Sequence, residues 1–463
     1  MYTVLILDRS NPTFFELIVD LSEKIKNENI KILCISDKEK SRTKLNLEII
    51  NIRDIAQNKS LPELQNHYDF SIYKALITER AFFNYSSLVA EECYSNIELE
   101  DLYKIIRPYV NALDYTIRER ADLIIDGIAD NFLTSLSGYI AHKYNKKFVM
   151  NFNYYWFGNG TLMADRMDQT SSIVDKKYFF YINNMDKINR LKLDEFYKKH
   201  AYYPRFDNNY TLKMRLKQVW NKYKFSYDKI SIKNLIKRKF RNGISKIQIK
   251  LFVRFERLIH DEKFILFPLH VTPEASLLGS TPEIADQISL IKNISMNLPI
   301  GVYLYVKTHP DQVMGEGIGF EFFKKLKSLP NVRIYSSIID GKNLYKNINC
   351  LAVAIIAGTL GLEAAMERVP VFIFGRPIFY VAECFIKPKN FTEFFQIVMA
   401  IIRNQYKFDE NSLYAILQAL QDSASYADVD LTKAKNWLEL GYMGNFATAN
   451  YIHDEYINSI VSR

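Results

Sequence analysis

Cysteine is scarce in this 463-residue chain, and so are the residue patterns that hold metals. Only four cysteines occur, far apart and without a CxxC pair: Cys34, Cys93, Cys350 and Cys384. The seven histidines show neither HExxH nor HxH spacing. These absences exclude a disulfide framework and a structural zinc site. The acidic triplet Asp428-Val429-Asp430 follows no predicted strand, so we interpret it as helix capping and expect no metal.

Long hydrophobic runs are also missing. The longest uncharged apolar stretch, residues 350–362, is too short to cross a bilayer. The opening MYTVLILDRS resembles a first β-strand more than the apolar core of an export signal. With 48% hydrophobic and 24% charged residues, the composition is that of a globular protein with two or three domains. We therefore expect a cytoplasmic protein that also makes peripheral contact with the inner face of the plasma membrane.

Positive charge is concentrated in one segment. Residues 213–257 contain fifteen Lys and Arg against two acidic residues, a net charge of +13, whereas the whole chain carries +9. Apolar residues interleave with the basic ones at close to helical spacing. Three interpretations stay open: a solvated helical hairpin over a domain, docking on an anionic membrane surface, and nucleic-acid binding. Because no nucleic-acid-binding motif accompanies the charge, we expect no nucleic-acid partner.

Strands and helices alternate in two separate blocks. This alternation predicts a parallel sheet with helices on both faces in each block. The predicted strands are 3–8, 30–36, 47–52, 122–126 and 146–152, then 264–269, 302–307, 332–336, 351–357 and 371–375. The fold class is therefore α/β, with two doubly wound, Rossmann-like domains. The expected division is 1–169, a helical basic insertion at 170–258, a second α/β domain at 259–400, and C-terminal helices at 401–463.

Polar residues follow the strands of the second block, where an open α/β sheet binds its ligand. Lys307 ends the predicted strand 302–307, and His309-Pro310 come next. Proline suits the first position of a helix, and a helix start beside a histidine and a lysine favours an anion. The alternative is an ordinary histidine in a turn. Thr272 and Glu274 belong to a similar polar cluster after strand 264–269.

A glycine turn follows strand 351–357. Gly358 lets a ligand approach the backbone, and the Thr359 hydroxyl with the first helix amides is placed to hold a phosphate. Glu363, in the first helical turn, is near enough to reach ribose hydroxyls. The alternative is a helix cap, with Thr359 capping and Glu363 offsetting the helix dipole. Several such loops on one sheet edge favour a nucleotide site.

The first block offers carboxylates at the end of a strand. Asp126 ends strand 122–126, and Asp130 follows it at the start of a predicted helix. A carboxylate that faces the cleft between two domains can act as a general base for an acceptor hydroxyl. For Asp130 the alternative is a helix N-cap, so both assignments stay open.

Two stretches resemble bacterial capsule and surface polysaccharide synthesis proteins. They are FILFPLHVTPEASLLGSTPEIADQISLIKNISMNLPIGVYLYVKTHP, from residue 264, and AIIAGTLGLEAAMERVPVFIFG, from residue 354. That group includes β-Kdo transferases and is distantly similar to bacterial sialyl- and polysialyltransferases. The resemblance is good over about 264–380 and vaguer over 120–150, and none is visible over 170–258.

The resemblance implies a GT-B glycosyltransferase, in which two Rossmann-like domains face a cleft and the second domain binds the nucleotide. The His309-Pro310 pair matches the family's His-Pro element, which contacts the nucleotide. Thr359 and Glu363 match its hydroxyl and acidic positions. The sialyltransferase relatives place the base in an acidic-acidic-Gly element. Because Ile125-Asp126-Gly127 lacks the first acid, Asp130 stays a rival for that role.

The relatives mostly use CMP-activated ulosonic acids, such as Kdo or sialic-like sugars, without a catalytic metal. The resemblance therefore implies transfer of such a sugar from a nucleotide-sugar co-substrate to a glycan or glycolipid acceptor, with no other cofactor. Two alternatives remain. One is a CDP-alcohol-dependent polyol-phosphate transferase, and the other is a non-catalytic scaffold of the glycan assembly complex.

Overall fold

The computed structural model of the protein contains two sheets with helices on both faces. It describes residues 2–7, 30–36, 48–51, 59–76, 99–126, 132–156, 160–200, 232–257, 261–272, 281–284, 286–310, 318–426 and 452–457, with a few single positions between these ranges. The side chains of residues 151–156 and 232–239 are outside this description. In the described ranges, no helix combines the length and the apolar character needed to cross a membrane.

Seven strands form the first sheet. They are β1 (Tyr2–Leu7), β2 (Ile30–Ser36), β3 (Glu48–Asn51), β4 (Leu123–Asp126), β5 (Lys147–Trp156), β6 (Gly160–Ala164) and β12 (Ser425–Tyr426). Their spatial order is β12-β6-β5-β4-β1-β2-β3. The five strands from β5 to β3 are parallel, and β6 and β12 are added antiparallel. The parallel part has the 3-2-1-4-5 order of a Rossmann-like domain.

Five strands form the second sheet. They are β7 (Lys263–Pro268), β8 (Val302–Lys307), β9 (Val332–Tyr335), β10 (Cys350–Ile355) and β11 (Val371–Ile373). Their order is β11-β10-β7-β8-β9, and every pairing is parallel, which again gives 3-2-1-4-5. These strands read as near-continuous apolar runs because both faces of a parallel sheet are buried. The predicted fold class, α/β with two doubly wound, Rossmann-like domains, is confirmed.

The helices that the structure describes between residues 59 and 143 pack on one face of the first sheet. They are α1 (Leu61–His67), α2 (Ile72–Leu76), α3 (Leu99–Glu119) and α4 (Phe132–Lys143). Leu113 of α3 and Ile140 of α4 share a buried core with Leu5 of β1. On the opposite face, Ile6 of β1 packs with Ile452. Ile452 starts the π-helix Ile452–Ile457, so the end of the chain returns to the first domain.

The remaining helices cover the second sheet. They are α5 (Ser172–Ile182), α6 (Arg190–His200), α7 (Ile232–Phe252), α8 (Gln287–Met296), α9 (Phe320–Lys327), α10 (Gly341–Tyr345), α11 (Leu360–Met366), α12 (Phe391–Ile402) and α13 (Glu410–Ser423), with 3₁₀ turns at Met185–Lys187 and Pro282–Ile284. One face carries α5, α6, α10, α11 and α13, and the other carries α7, α8, α9 and α12.

The predicted insertion at 170–258 contributes helices to both faces of the second sheet. On one face, the Tyr178 hydroxyl of α5 lies 3.0 Å from Ser412 Oγ, and the Tyr197 hydroxyl of α6 donates to the Leu417 carbonyl at 2.7 Å. On the other face, α7 buries Ile249, and Val253 directly after it is buried too. The described part of the segment is helical, as expected, and it packs as part of the second domain.

Candidate functional site

The strand order creates a switch point between β7 and β10, where the connections diverge to opposite sides of the sheet. Ligands of open α/β sheets bind at this position, outside the carboxyl ends of the strands. The two loops that meet there are joined directly, because the Ala357 N–H donates to His270 Nε2 at 3.2 Å. This bond requires Nε2 to carry no proton. A side-chain carbon on Gly358 would stand 3.6 Å from the same nitrogen, in ordinary van der Waals contact.

A buried glutamine fixes the loop after β7. Gln287, the first residue of α8, is 3% exposed. Its Oε1 accepts the His270 N–H at 2.9 Å, and its Nε2 donates to the His270 carbonyl at 3.2 Å and to Thr272 Oγ1 at 2.8 Å. Sequence reasoning missed Gln287. Nothing in the sequence of α8 distinguishes Gln287 from the other polar residues of this helix.

The loop after β8 carries the predicted His309-Pro310 element at the same edge. His309 is half-buried and Pro310 is exposed. Lys307 is buried, with Nζ 3.4 Å from the Thr308 carbonyl oxygen. Pro310 lies in a turn in which the Gln312 N–H donates to the His309 carbonyl at 3.2 Å. The next helix among the described residues begins only at Phe320, so the anion-binding helix start expected at Pro310 is not seen there.

Gln312 links this loop to the one after β7. Its Oε1 accepts the Thr272 N–H at 2.8 Å. Thr272 is therefore held from both sides, by Gln287 through its hydroxyl and by Gln312 through its amide. The loops after β7, β8 and β10 thus form one hydrogen-bonded rim along the carboxyl edge of the second sheet. Glu274, also predicted for this site, lies outside the described residues.

Thr359 and Glu363 lie on α11, which starts directly after β10. Thr359 is the N-cap residue, yet its side chain makes no capping hydrogen bond. The capping-box alternative therefore lacks its defining contact. Glu363 is half-buried, and the Tyr345 hydroxyl lies 3.5 Å from its Oε2. Burial raises the pKa of the Glu363 carboxyl above its ordinary value, and the neighbouring Lys342 opposes this shift.

The second glycine of this turn serves packing. A side-chain carbon on Gly361 would stand 2.3 Å from Ile355 Cδ1 and 3.3 Å from Val371 Cγ1. Gly361 therefore lets α11 pack closely against β10 and β11.

Asp126 occupies the equivalent switch point of the first sheet. It is the last residue of β4, which pairs with β1 on one side and β5 on the other. Its side chain is completely buried. Asp130, the rival candidate for the base, lies outside the described residues.

The two domains touch beside the loop that follows β11. Arg376 Nη1, from this loop, lies 2.8 Å from Asp168 Oδ2, which follows β6. Burial acts to raise the pKa of Asp168, but hydrogen bonds from Thr170 and Arg376 outweigh it, so the pKa lies below its ordinary value. Across the same junction, burial raises the pKa of Tyr139 on α4 to about 12, and the charge of Glu283 adds to the shift.

No group of three or more His, Cys, Asp or Glu side chains in the described ranges is arranged to hold a metal ion. The arrangement at the second switch point instead offers neutral donors and acceptors, with histidine and threonine side chains and backbone amides along one rim. Such groups suit hydroxyls, a base edge and phosphate oxygens.

Comparison with known families gives one match. Residues 177–383 match the family described as capsule polysaccharide biosynthesis protein. This range includes the whole second sheet, the second half of α5, and α6 and α7. The predicted resemblance is confirmed, but the expectation that it does not reach into 170–258 was wrong, because those helices are built onto the faces of the second sheet. No curated protein matches the chain significantly.

The similarity of this chain to solved structures is weak. Thermosulfurimonas dismutans KpsC, beta Kdo 2,7 transferase, is 12% identical, with 82% of this chain and 97% of that chain covered and a TM-score of 0.33. The S. aureus MnaA-UDP structure is 12% identical, covering 100% and 98%, with a TM-score of 0.28. Spinosyn rhamnosyltransferase SpnG is 12% identical, covering 91% and 96%, with a TM-score of 0.25. TM-scores this low carry no conclusion about activity or substrate.

Proposed function

We propose that this chain, whose residues 177–383 match the capsule polysaccharide biosynthesis family, is a glycosyltransferase that extends a capsule or related surface glycan. The observation that carries the proposal is the rim at the second switch point. There, His270 accepts a hydrogen bond from the Ala357 N–H, and Thr272 accepts one from Gln287 and donates one to Gln312. A site held in this way is suited to bind a nucleotide without reorganising.

The proposed roles follow from position along the rim. His309, half-buried at the end of β8, stabilises the phosphate that leaves when the bond to the donor sugar breaks. Lys307 adds positive charge behind it. Thr359 and Glu363 bind nucleotide hydroxyls or phosphate oxygens from the opposite side of the switch point. Pro310, Thr272, Glu274 and Gly358 complete the contacts to the nucleotide.

The acceptor is proposed to bind on the first domain. Its hydroxyl must lose a proton as the new glycosidic bond forms, and a carboxylate is suited to take that proton. Asp126 at the first switch point and Asp130 after it are the two candidates. Because Asp126 is buried, it can act only if the acceptor hydroxyl reaches the end of β4.

The proposed donor is a CMP-activated ulosonic acid such as Kdo or a sialic-like sugar, without a metal or other cofactor. This choice rests on the family resemblance and on the His-Pro element. The proposed location is the cytoplasm at the inner face of the plasma membrane, where the acceptor of a surface glycan is assembled. A CDP-alcohol-dependent polyol-phosphate transferase is the second candidate, because a phosphodiester-forming enzyme needs the same nucleotide rim.

A thermal-shift panel of CMP, CDP, UDP and GDP tests the proposal on the full chain. A nucleotide present at about 100 times its Kd should raise the free energy of unfolding by about 2.7 kcal/mol. We expect CMP to give the largest shift. Stabilisation by CDP rather than CMP, followed by a phosphodiester product, would select the polyol-phosphate alternative. No shift with any of the four nucleotides would reject the transferase and favour a scaffold.

A further inference from the structure

Helix α7 carries an exposed apolar stripe on the face that points away from the domain. Its members are Phe240 (71% exposed), Ile244 (42%), Ile247 (61%) and Leu251 (68%). Their spacing of four, three and four residues places them on one helical face. The opposite side is anchored, because Ile249 is buried and Ser245 Oγ accepts the Phe320 N–H of α9 at 2.9 Å.

Cations flank this stripe, and the helix contributes no acid. The sequence of α7 contains no Asp or Glu. In a helical projection of 100° per residue, Lys250 projects to one side of the stripe and Arg241 to the other, and Arg254 follows the end of the helix. Lys246 lies further round, and all four side chains are exposed. The surface is thus an apolar band between positive edges.

The stripe differs from the exposed apolar residues elsewhere on the protein. Ile338 and Ile348 are each more than nine-tenths exposed, but they are isolated, and single apolar side chains on a surface are ordinary. The four apolar side chains of the α7 stripe lie on one helical face and are flanked by cations, which is the pattern of a helix that lies in the plane of a membrane.

The charge of the stripe's flanks selects its partner. In a symmetric contact between two copies, the same cations would face one another, and like charges across an interface are unfavourable. Nucleic acid would neutralise the cations through its phosphates but would leave the aliphatic stripe in water. An anionic lipid leaflet satisfies both features, because headgroups pair with the cations while the apolar side chains enter the acyl boundary.

We infer that α7 docks the protein flat on an anionic lipid surface, with Phe240, Ile244, Ile247 and Leu251 inserted and the flanking cations at the headgroups. Because α7 packs on the second sheet through Ile249 and Val253, docking holds the second domain at the membrane. The inference concerns a surface whose residues are not part of the nucleotide rim, and it holds whichever donor the enzyme uses.

Co-sedimentation of the full chain with lipid vesicles tests the inference without any nucleotide. The wild type should bind vesicles of phosphatidylglycerol mixed with phosphatidylcholine at low salt and release them at high salt, and it should ignore pure phosphatidylcholine. The double variant Ile247→Ser/Leu251→Ser should weaken binding by roughly tenfold or more. The control Ile338→Ser/Ile348→Ser, which changes two apolar residues that are even more exposed but isolated, should bind like the wild type.

A charge series supplies the second arm. Changing Arg241, Lys246, Lys250 and Arg254 to Gln should weaken binding by at least about tenfold and flatten its salt dependence. Unchanged melting temperatures show that each variant is folded. The inference is overturned if the wild type ignores the anionic vesicles at low salt, or if the stripe variant binds as well as the control. It is also overturned if the stripe variant abolishes a dimer in sedimentation equilibrium, since a second copy would then be the occupant.

Discussion

The two sheets of this protein share one strand order but present different chemistry at their switch points. In the first sheet, Asp126 ends β4 as a buried carboxylate. In the second sheet, the equivalent position is a rim of neutral groups around His270 and Gly358, tied together by Gln287 and Gln312. The strand order therefore does not determine the role of either site. The residues in the loops determine it.

The difference suggests a division of labour that can be tested by substitution. A buried carboxylate is suited to proton transfer, whereas a cross-linked rim is suited to holding a ligand in one geometry. If the division is real, variants at the first switch point should remove transfer and spare nucleotide binding. Variants of the rim itself should change nucleotide affinity.

The largest effect is expected at the first switch point. Either Asp126→Asn or Asp130→Asn should abolish transfer while leaving the CMP affinity unchanged, because the amide cannot accept the acceptor's proton. Product formation and calorimetric titration with CMP measure the two quantities. Asp69→Asn, an exposed carboxylate in the same domain, is the control. Full activity in both single variants would move the base elsewhere, with Glu274 the next candidate.

The next effect concerns His309. His309→Ala should lower turnover by about 10²–10³, the usual loss when one donor to a developing negative charge is removed. His142→Ala, an exposed histidine on α4, provides a matched control. Circular dichroism checks that both variants are folded. Wild-type turnover in folded His309→Ala protein would remove this residue from the leaving-phosphate role.

Much of the second domain could be predicted from sequence, because strands buried on both faces leave long apolar runs. The predicted strand 302–307 coincides with β8, and 264–269 lies within one residue of β7 at each end. The loops at the strand ends then follow from topology. Gln287 could not be found this way, because its role depends on two hydrogen bonds to His270, seventeen residues away.

The return of the chain to the first domain could not be predicted either. Strand β12 has only two residues, too few for a periodic pattern, and it is defined by its antiparallel pairing with β6. The sequence therefore predicts only helices over 401–463, without this strand. The sequence likewise does not predict that the π-helix Ile452–Ile457 belongs to the first domain. Its packing against β1 shows this.

A smaller effect is expected from Gln287, a positioning residue that touches the rim rather than the donor. Gln287→Leu removes the acceptor of the His270 backbone N–H and the donor to Thr272 Oγ1. The cost is about 1–3 kcal/mol for each buried group that loses its partner. We expect KM for the donor to rise by about tenfold while kcat changes less. Gln287→Glu keeps the acceptor for the His270 N–H and should recover part of the affinity. Equal loss of kcat and stability in both variants, without a change in KM, would indicate a purely structural residue.

The smallest effect is expected at Glu363, and pH separates its two possible roles. Burial raises the pKa of this carboxyl above the ordinary value of 4.5. Its neutral form is thus favoured in the folded protein, so its contribution to stability is complete at low pH and is lost as pH rises through the raised pKa. Glu363→Gln removes this loss and should leave stability at neutral pH undiminished.

If Glu363 accepts a nucleotide hydroxyl, ionisation strengthens that bond, so wild-type affinity should rise with pH over the same window. The Gln variant should bind about fivefold more weakly at neutral pH, without the rise, because a neutral acceptor forms the weaker hydrogen bond. Calorimetric titrations of both proteins across this pH range measure the difference, and identical curves would leave Glu363 as a residue that only supports α11.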